Sequence, residues 1–334
     1  MNKRFAAVFM MIVMVFSMAA CGAKSENAAG TKNSGTGKTE TYEPEGVFNI
    51  RVFAAAGGIA DTISRIMAQG LQTEYGVTTV VNNLTGANGA IAIADLDSYD
   101  PSPNELALVN MTIFTMAPIM NKDIQVKLDD YEIVGSLIKD EFILLVAADS
   151  GIKSWADLVA YGEEKQIIFA SNTPGGSTHI VQTALFGEAG LDAQALTSDG
   201  SNKDILAVMS KDAICTSTTA SLAQSYVESG ELIPIAIFSE EAYTGYEGIE
   251  VPAIKSLGYD ITLPSYNYLI CRAGVDQAEI KGLYEAILKC RETDSFKTQA
   301  KNANYIPDDT TGKELRAEIE KYKKVCQEIY DKYY

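Results

Sequence analysis

Apolar and polar positions in this chain alternate between two periods. Phe48 to Ala54 reads as a strand. After a glycine turn, Ile59, Ile63, Ile66, Met67 and Leu71 recur at helical spacing. Gly76 is placed to close that helix. Thr78 to Val81 is a second strand, leading through Thr85-Gly86-Ala87-Asn88-Gly89 into a helix over Ala90 to Leu96, and Leu106 to Asn110 is a third strand. Ile133 to Ala147 holds two strand-like runs around Lys139-Asp140-Glu141, with a domain crossing expected at Ser150-Gly151. Ser154 and Asp157 fit a capping box opening a helix over Trp155 to Tyr161. Ile167 to Ser171 is a strand that feeds another glycine turn and a helix over Thr178 to Ala189. Ser201 and Asp204 are expected to cap a helix that turns Ile205, Val208 and Met209 inward. Leu232 to Phe238 is a strand, and Tyr266 to Arg272 is the expected return crossing. Two long helices follow. One carries the stripe Ile280, Leu283, Tyr284, Ile287 and Leu288; the other opens on Thr311 and Glu314 and carries Leu315, Ile319, Tyr322, Cys326 and Ile329.

Strands alternating with amphipathic helices predict α/β layers. The expected organisation is two lobes joined by two crossing strands, with a cleft between them. Lobe 1 takes 46–147 and 267–334, and lobe 2 takes 148–266.

The first 45 residues follow a different pattern. Lys3 and Arg4 precede an unbroken apolar run from Phe5 to Phe16. That run is too short for a membrane-spanning helix, which needs about 20 apolar residues. Ser17-Met18-Ala19-Ala20-Cys21-Gly22 then places small residues before a cysteine, as in a lipoprotein processing site. Residues 1–20 are therefore expected to be a signal peptide, and Cys21 the lipid-bearing residue that anchors the chain to a bilayer outside the cytoplasm. Residues 21–45 hold no large apolar side chain before Tyr42 and are expected to form a flexible tether.

Charge narrows the partners. The chain carries −17, and losing Lys3 and Arg4 with the signal would leave −19. Such a surface is a poor fit to nucleic acid or anionic lipid. Cys215, Cys271, Cys290 and Cys326 lack metal-ligand spacing and are expected to be buried small hydrophobes, with their pairing open. No metal or cofactor is expected.

Three strand-to-helix turns carry the candidate chemistry: Ala55-Ala56-Gly57-Gly58, Thr85 to Gly89, and Ser171 to Thr178. Glycines there let the backbone approach a ligand, and the free N–H groups of a first helical turn favour an anion without any cationic side chain. None has Walker or dinucleotide-binding spacing.

Gly57-Gly58-Ile59-Ala60-Asp61-Thr62-Ile63-Ser64-Arg65 resembles the Gly-Gly-x-x-Asp-x-x-x-Arg opening of the substrate-binding receptors of tripartite tricarboxylate transporters. Asn82-Asn83-Leu84-Thr85-Gly86-Ala87-Asn88-Gly89, Ser171-Asn172-Thr173-Pro174-Gly175-Gly176-Ser177-Thr178-His179 and Val251-Pro252-Ala253-Ile254-Lys255-Ser256-Leu257-Gly258 are similar to three later segments of that family, in the same order. The resemblance implies a type II periplasmic-binding-protein, or Venus flytrap, fold that captures a small carboxylate and delivers it to membrane permease subunits. It implies a ligand set from lobe 1 of Ala56, Gly57, Gly58, Asp61 and the stretch Thr85, Gly86, Ala87 and Asn88. From lobe 2 it implies Ser171, Asn172, Thr173, Ser177, Thr197, Ser198 and Asp199. Two departures matter. Ser198-Asp199-Gly200 replaces a family segment that usually holds a cation, and Tyr266 stands where many members have Trp. A carboxylate at Asp199 would repel a further anionic group at close range. The departures favour a ligand with one carboxylate and a donor group near Asp61 or Asp199, as an amino acid has.

Two other readings compete. Ser177 with the sole histidine, His179, would serve a lipoprotein hydrolase, although no Gly-x-Ser-x-Gly elbow is present. A sensor that presents its closed form to a signalling partner is the other.

Overall fold

The computed structural model describes residues 42–334. The signal peptide 1–20, Cys21 and the tether up to residue 41 lie outside the described residues. Residues 42–45, expected to end the tether, pack onto the body instead: Pro44 is buried and Tyr42 half-buried. A Cβ at Gly282 would lie 2.6 Å from that of Tyr42.

The strands are β1 (Val47–Val52), β2 (Thr78–Asn83), β3 (Glu105–Asn110), β4 (Tyr131–Asp140), β5 (Phe142–Ala147), β6 (Ile167–Ser171), β7 (Ala193–Thr197), β8 (Cys215–Thr219), β9 (Leu232–Ile237), β10 (Tyr243–Tyr246), β11 (Ile249–Val251) and β12 (Ser265–Arg272). The helices are α1 (Ile59–Tyr75), α2 (Ala90–Asp97), α3 (Met116–Met120), α4 (Trp155–Glu164), α5 (Ser177–Glu188), α6 (Ser201–Met209), α7 (Ala220–Glu228), α8 (Gln277–Arg291), α9 (Asp294–Asn302) and α10 (Gly312–Tyr333).

Two five-stranded sheets result, ordered β2-β1-β3-β12-β4 and β7-β6-β8-β5-β9. Each is mostly parallel, with one antiparallel strand next to one edge strand, β12 in the first sheet and β5 in the second. This is a two-lobed α/β binding-protein fold. The chain changes sheet at Glu141, between β4 and β5, and Ser265 of the returning chain pairs with Asp140. The crossing expected after Ala147 therefore comes one strand early, because β5 hydrogen-bonds to β8 and β9 of the second sheet. The buried Asp140 at this crossing accepts from the Ser221 hydroxyl, from Ser221 N–H at 3.2 Å and from Glu141 N–H at 2.8 Å. It thereby caps the first turn of α7.

Alternation along β1 sends Phe48, Ile50 and Val52 into a core with Ile63, Met67 and Leu71 of α1 and Leu283 and Ile287 of α8. Each such side chain contributes about 1.5–3 kcal/mol on burial. A second core joins both sheets through Ala107 and Val109 of β3, Leu144 and Val146 of β5, and Leu315, Ile319 and Cys326 of α10. The final helical region holds three helices where two were expected. The Thr311–Glu314 capping box opens α10, as expected, whereas Ser201 and Asp204 do not cap α6, which starts at Gly200 without a side-chain cap. Cys215, Cys271, Cys290 and Cys326 are free and buried.

Candidate functional site

Eight of the ten helix beginnings given above fall into two groups; α3 and α7 start at Thr115 and Thr219, neither of which caps its own helix. Those of α4, α8, α9 and α10 are closed by their own Ser154, Asp276, Thr293 and Thr311 side chains. The helices α1, α2, α5 and α6 start instead at Gly58, Gly89, Gly176 and Gly200, and no side chain caps them. An uncapped start leaves backbone N–H groups for water or a ligand. These four starts follow the turns that carry the predicted site residues.

In the first turn, Ala56 and Gly57 are exposed and Gly58 is half-buried. Gly57 adopts φ +80°, and its N–H donates to Asp61 Oδ2 at 2.9 Å. Asp61 Oδ1 pairs with Arg65 at 2.8 Å. Arg65 also donates to Asn83 Oδ1 at 3.2 Å, and Asn83 donates to the Ala54 carbonyl at 3.0 Å. Burial acts to raise the Asp61 pKa, but Arg65, the Gly57 N–H and Asn83 outweigh it and hold the carboxyl below its ordinary value. Asp61 is thus engaged in bracing the turn, and Gly57 is not a free anion donor. Arg65 is exposed and pairs with this acid one helical turn before it.

The second turn runs through four successive positive φ values, at Gly86 (122°), Ala87 (47°), Asn88 (52°) and Gly89 (98°). Left-handed backbone costs a residue with a side chain about 1–2 kcal/mol. Here it aims the Asn88 carboxamide out of the first lobe. Thr85, Gly86 and Ala87 are exposed beside it.

The third turn meets it from the second lobe. Thr173 donates its hydroxyl to Asn88 Oδ1 at 2.6 Å, and Asn88 Nδ2 donates to the Pro174 carbonyl at 3.0 Å. Ser171 is buried, with its hydroxyl on the Asn172 carbonyl at 3.2 Å. Asn172 N–H donates to the Thr178 hydroxyl at 3.0 Å. Gly176 N–H closes the turn on the Thr173 carbonyl at 2.8 Å. A Cβ at Gly176 would fall 2.3 Å from Asn172 Oδ1. Ser177 is half-buried at the first position of α5. No hydrogen bond joins it to His179 among the described residues. The histidine is buried, its pKa lowered by burial, and its Nδ1 lies 2.7 Å from the Tyr334 hydroxyl.

The fourth turn is tied to the third by Ser198 N–H on the Ser171 carbonyl at 2.9 Å. Thr197 is exposed. Asp199 is exposed and paired with Lys203 at 2.6 Å, and this partner lowers its pKa. The cation missing from the Ser198-Asp199-Gly200 segment is thus supplied four residues later. The unmatched acid is Asp204, which is 1% exposed. Its Oδ1 accepts from the Ser198 hydroxyl at 2.6 Å, and its Oδ2 has no partner. Burial is the largest influence on Asp204; the Ser198 bond opposes it, neighbouring Asp199 adds to it, and the pKa is raised to about 6.

Sequence reasoning missed Asp204 and Asn83 as site residues, and also Ser217 and Thr218 of β8, whose hydroxyls are buried without partners. The β6–β8 register pairs Ala170 with Thr216, so Ser217 and Thr218 follow at the carboxyl end beside Ser171. No local signal marks them, since their neighbours come from strand pairing. A surface cavity of about 450 Å³ lies against the strand end that leads into the second turn, lined by Arg51, Asn82, Asn83, Leu84 and Tyr99. Its Arg51 is held by Asp95 at 2.5 Å and Glu105 at 2.6 Å. Among the described residues, no group of three or more His, Cys, Asp or Glu is placed to hold a metal ion, and no helix is long and apolar enough to cross a membrane.

Comparison with known proteins agrees with this architecture. Similar solved structures include a TctC solute binding protein from Polaromonas, at 20% identity and TM-score 0.70, covering 87% of this chain and 100% of that one. The adipate-bound protein of R. palustris gives TM-score 0.78 at 16% identity, covering 86% and 97%. MatC from Rhodopseudomonas palustris with bound malate gives 0.76 at 15%, covering 86% and 99%. The "UPF0065 protein in gbd 5'region" of Cupriavidus necator is 24% identical over 256 residues, 76% of this chain and 77% of that protein. Residues 63–329 match the model of the tripartite tricarboxylate transporter family receptor, and the chain belongs to that family.

Proposed function

We propose that this protein is an extracytoplasmic lipoprotein that captures a small carboxylate between its lobes and delivers it to the permease subunits of a tripartite tricarboxylate transporter. The observation that carries this reading is the set of four helices that begin at glycine without a side-chain cap, all at turns where the predicted ligand residues lie. Their amide hydrogens suit a carboxylate, and the helix dipole adds about 0.3–1 kcal/mol each. The ligand set is Ala56, Gly58, Thr85, Gly86, Ala87, Asn88, Ser171, Asn172, Thr173, Ser177, Thr197 and Ser198. Asp61 and Gly57 brace the first turn from behind, and Asp199 with Lys203 flanks the fourth. Arg65 and Lys203 are both neutralised within the protein. The cleft therefore favours a ligand of low net charge, a mono- or dicarboxylate or an amino acid, over a tricarboxylate. The relatives crystallised with adipate and with malate support a small carboxylate.

Ligand contacts from both lobes would favour the closed form by their differential affinity for it. The lipid on Cys21 would keep the receptor near its permease. Calorimetry with acetate, malate, adipate, citrate and aspartate tests the ligand class. Saturable binding of malate, adipate or aspartate is expected, and tight citrate binding alone would overturn the low-charge reading. Mass spectrometry of the amino-terminal peptide tests the anchor, with a diacylglyceryl group expected on Cys21.

A further inference from the structure

The second-lobe turn that meets Asn88 is braced from behind by a residue of the far helix. The Gly175 N–H donates to His179 Nδ1 at 3.5 Å, and the Tyr334 hydroxyl lies 2.7 Å from the same nitrogen and 3.4 Å from Thr183 Oγ1. A nitrogen that accepts from the Gly175 N–H carries no proton, so the imidazole proton sits on Nε2 and the Tyr334 hydroxyl meets Nδ1 as a donor. Gly175 is the bend of the turn, at φ +77°, next to the Pro174 carbonyl that holds Asn88.

Tyr334 is itself fixed. Its ring stacks on Tyr330 at 5.7 Å and 12° and lies 5.8 Å from the His179 ring. Lys332 pairs with Glu188 of α5 at 2.6 Å. Tyr333 covers Gly187, where a Cβ would fall 2.3 Å from its ring. The other end of α10 is rooted in the first sheet. Thr311 bridges to Gly135 of β4, and Arg316 donates to the carbonyls of Leu128 and Tyr131. The helix is a strut between the first sheet and the turn of the second lobe.

We propose that Tyr334 is a positioning residue for the ligand-facing turn 173–177, acting through His179. Its hydroxyl fixes the imidazole in the tautomer that accepts from Gly175 and so holds the turn in the shape that meets Asn88 and the ligand. The proposal rests on the reading above that this turn faces the ligand, and its test separates the two. His179 is the only histidine in the chain, so nitrogen NMR of histidine-labelled protein reports one imidazole. Tyr334→Phe keeps the ring and its stacking and removes only the hydroxyl. In the ligand-free variant the His179 Nδ1 and Gly175 amide resonances are expected to shift. Malate affinity measured by calorimetry is expected to fall about fivefold, with the melting temperature within about 2 °C of the parent. Unchanged His179 and Gly175 resonances would overturn the proposal whatever the ligand proves to be. Shifted resonances with unchanged malate affinity would overturn the positioning role. If the parent protein binds no malate, the ligand reading fails for that probe, and the resonances alone decide for or against the Tyr334–His179–Gly175 linkage.

Discussion

Thr173 donates its hydroxyl to Asn88 Oδ1 at 2.6 Å, a direct bond between one lobe and the other. The Asn88 carboxamide also donates to the Pro174 carbonyl, so one side chain joins two turns that approach the ligand from opposite sides. Replacing Asn88 by glycine removes both bonds and tolerates φ +52° better than alanine would. Asn88→Gly is expected to give a more open ligand-free particle by small-angle X-ray scattering. The affinity for the carboxylate is expected to fall about fivefold, since a net hydrogen bond is worth about 1 kcal/mol. An unchanged radius of gyration together with unchanged affinity would count against the latch.

Asp204 makes stability fall as pH rises. Its folded pKa of about 6 lies above the ordinary carboxyl value, so the folded state holds the proton more tightly than the unfolded chain does. No cost arises below about pH 4; it accumulates between about pH 4 and 6 and is complete above, near 3 kcal/mol. Asp204→Asn keeps an acceptor for the Ser198 hydroxyl and removes the charge. The variant is expected to be more stable than the parent in urea at pH 8 and equal to it at pH 4.

Asp61 behaves in the opposite sense. Its pKa is held down, so its contribution is present above the ordinary carboxyl value of about 3.9 and is lost as pH falls through the folded value. Asp61→Asn is expected to cost about 1 kcal/mol at pH 7, because half-exposed Arg65 screens the pair. The difference should shrink as pH falls below the ordinary carboxyl value in denaturant titrations. The same variant should lower ligand affinity only indirectly, by loosening Gly57.

Gly176→Ala places a methyl group 2.3 Å from Asn172 Oδ1. The Asn172 carboxamide must then swing away from its place in the third turn. Carboxylate binding is expected to drop at least tenfold while the melting temperature moves by a few degrees. Equal affinity would remove this turn from the ligand set.

The buried thiols should be inert in the folded protein. Burial is the largest influence on Cys271, Cys290 and Cys326, raising their pKa values to about 12, about 12 and about 11, and it raises Cys215 further still. Little thiolate is then available to react. A thiol reagent at pH 8 is expected to leave these four cysteines untouched until urea unfolds the chain.

Local patterns in the sequence determined much of this protein. Helix and strand periods, the Gly76 cap, the Thr311–Glu314 capping box and the glycine turns are all written in residues within a few positions of one another, so each was legible without a fold. Three of the four turns were found for the same reason, and so was the family resemblance that supplied the fourth. Pairing between distant segments decided the rest. Phe142–Ala147 belongs to the second sheet because its partners are β8 and β9, 69 to 94 residues away. Asp199 and Asp204 are both acids at the start of α6, yet only the packing of that helix turns Asp204 inward to Ser198 and leaves Asp199 outside with Lys203. The contacts of Asn88 with Thr173 and of Tyr334 with His179 likewise join residues 85 and 155 positions apart. Hydrophobic period and turn chemistry act over a few residues, whereas burial of a charge or a bond across a cleft depends on which surfaces the whole chain brings together.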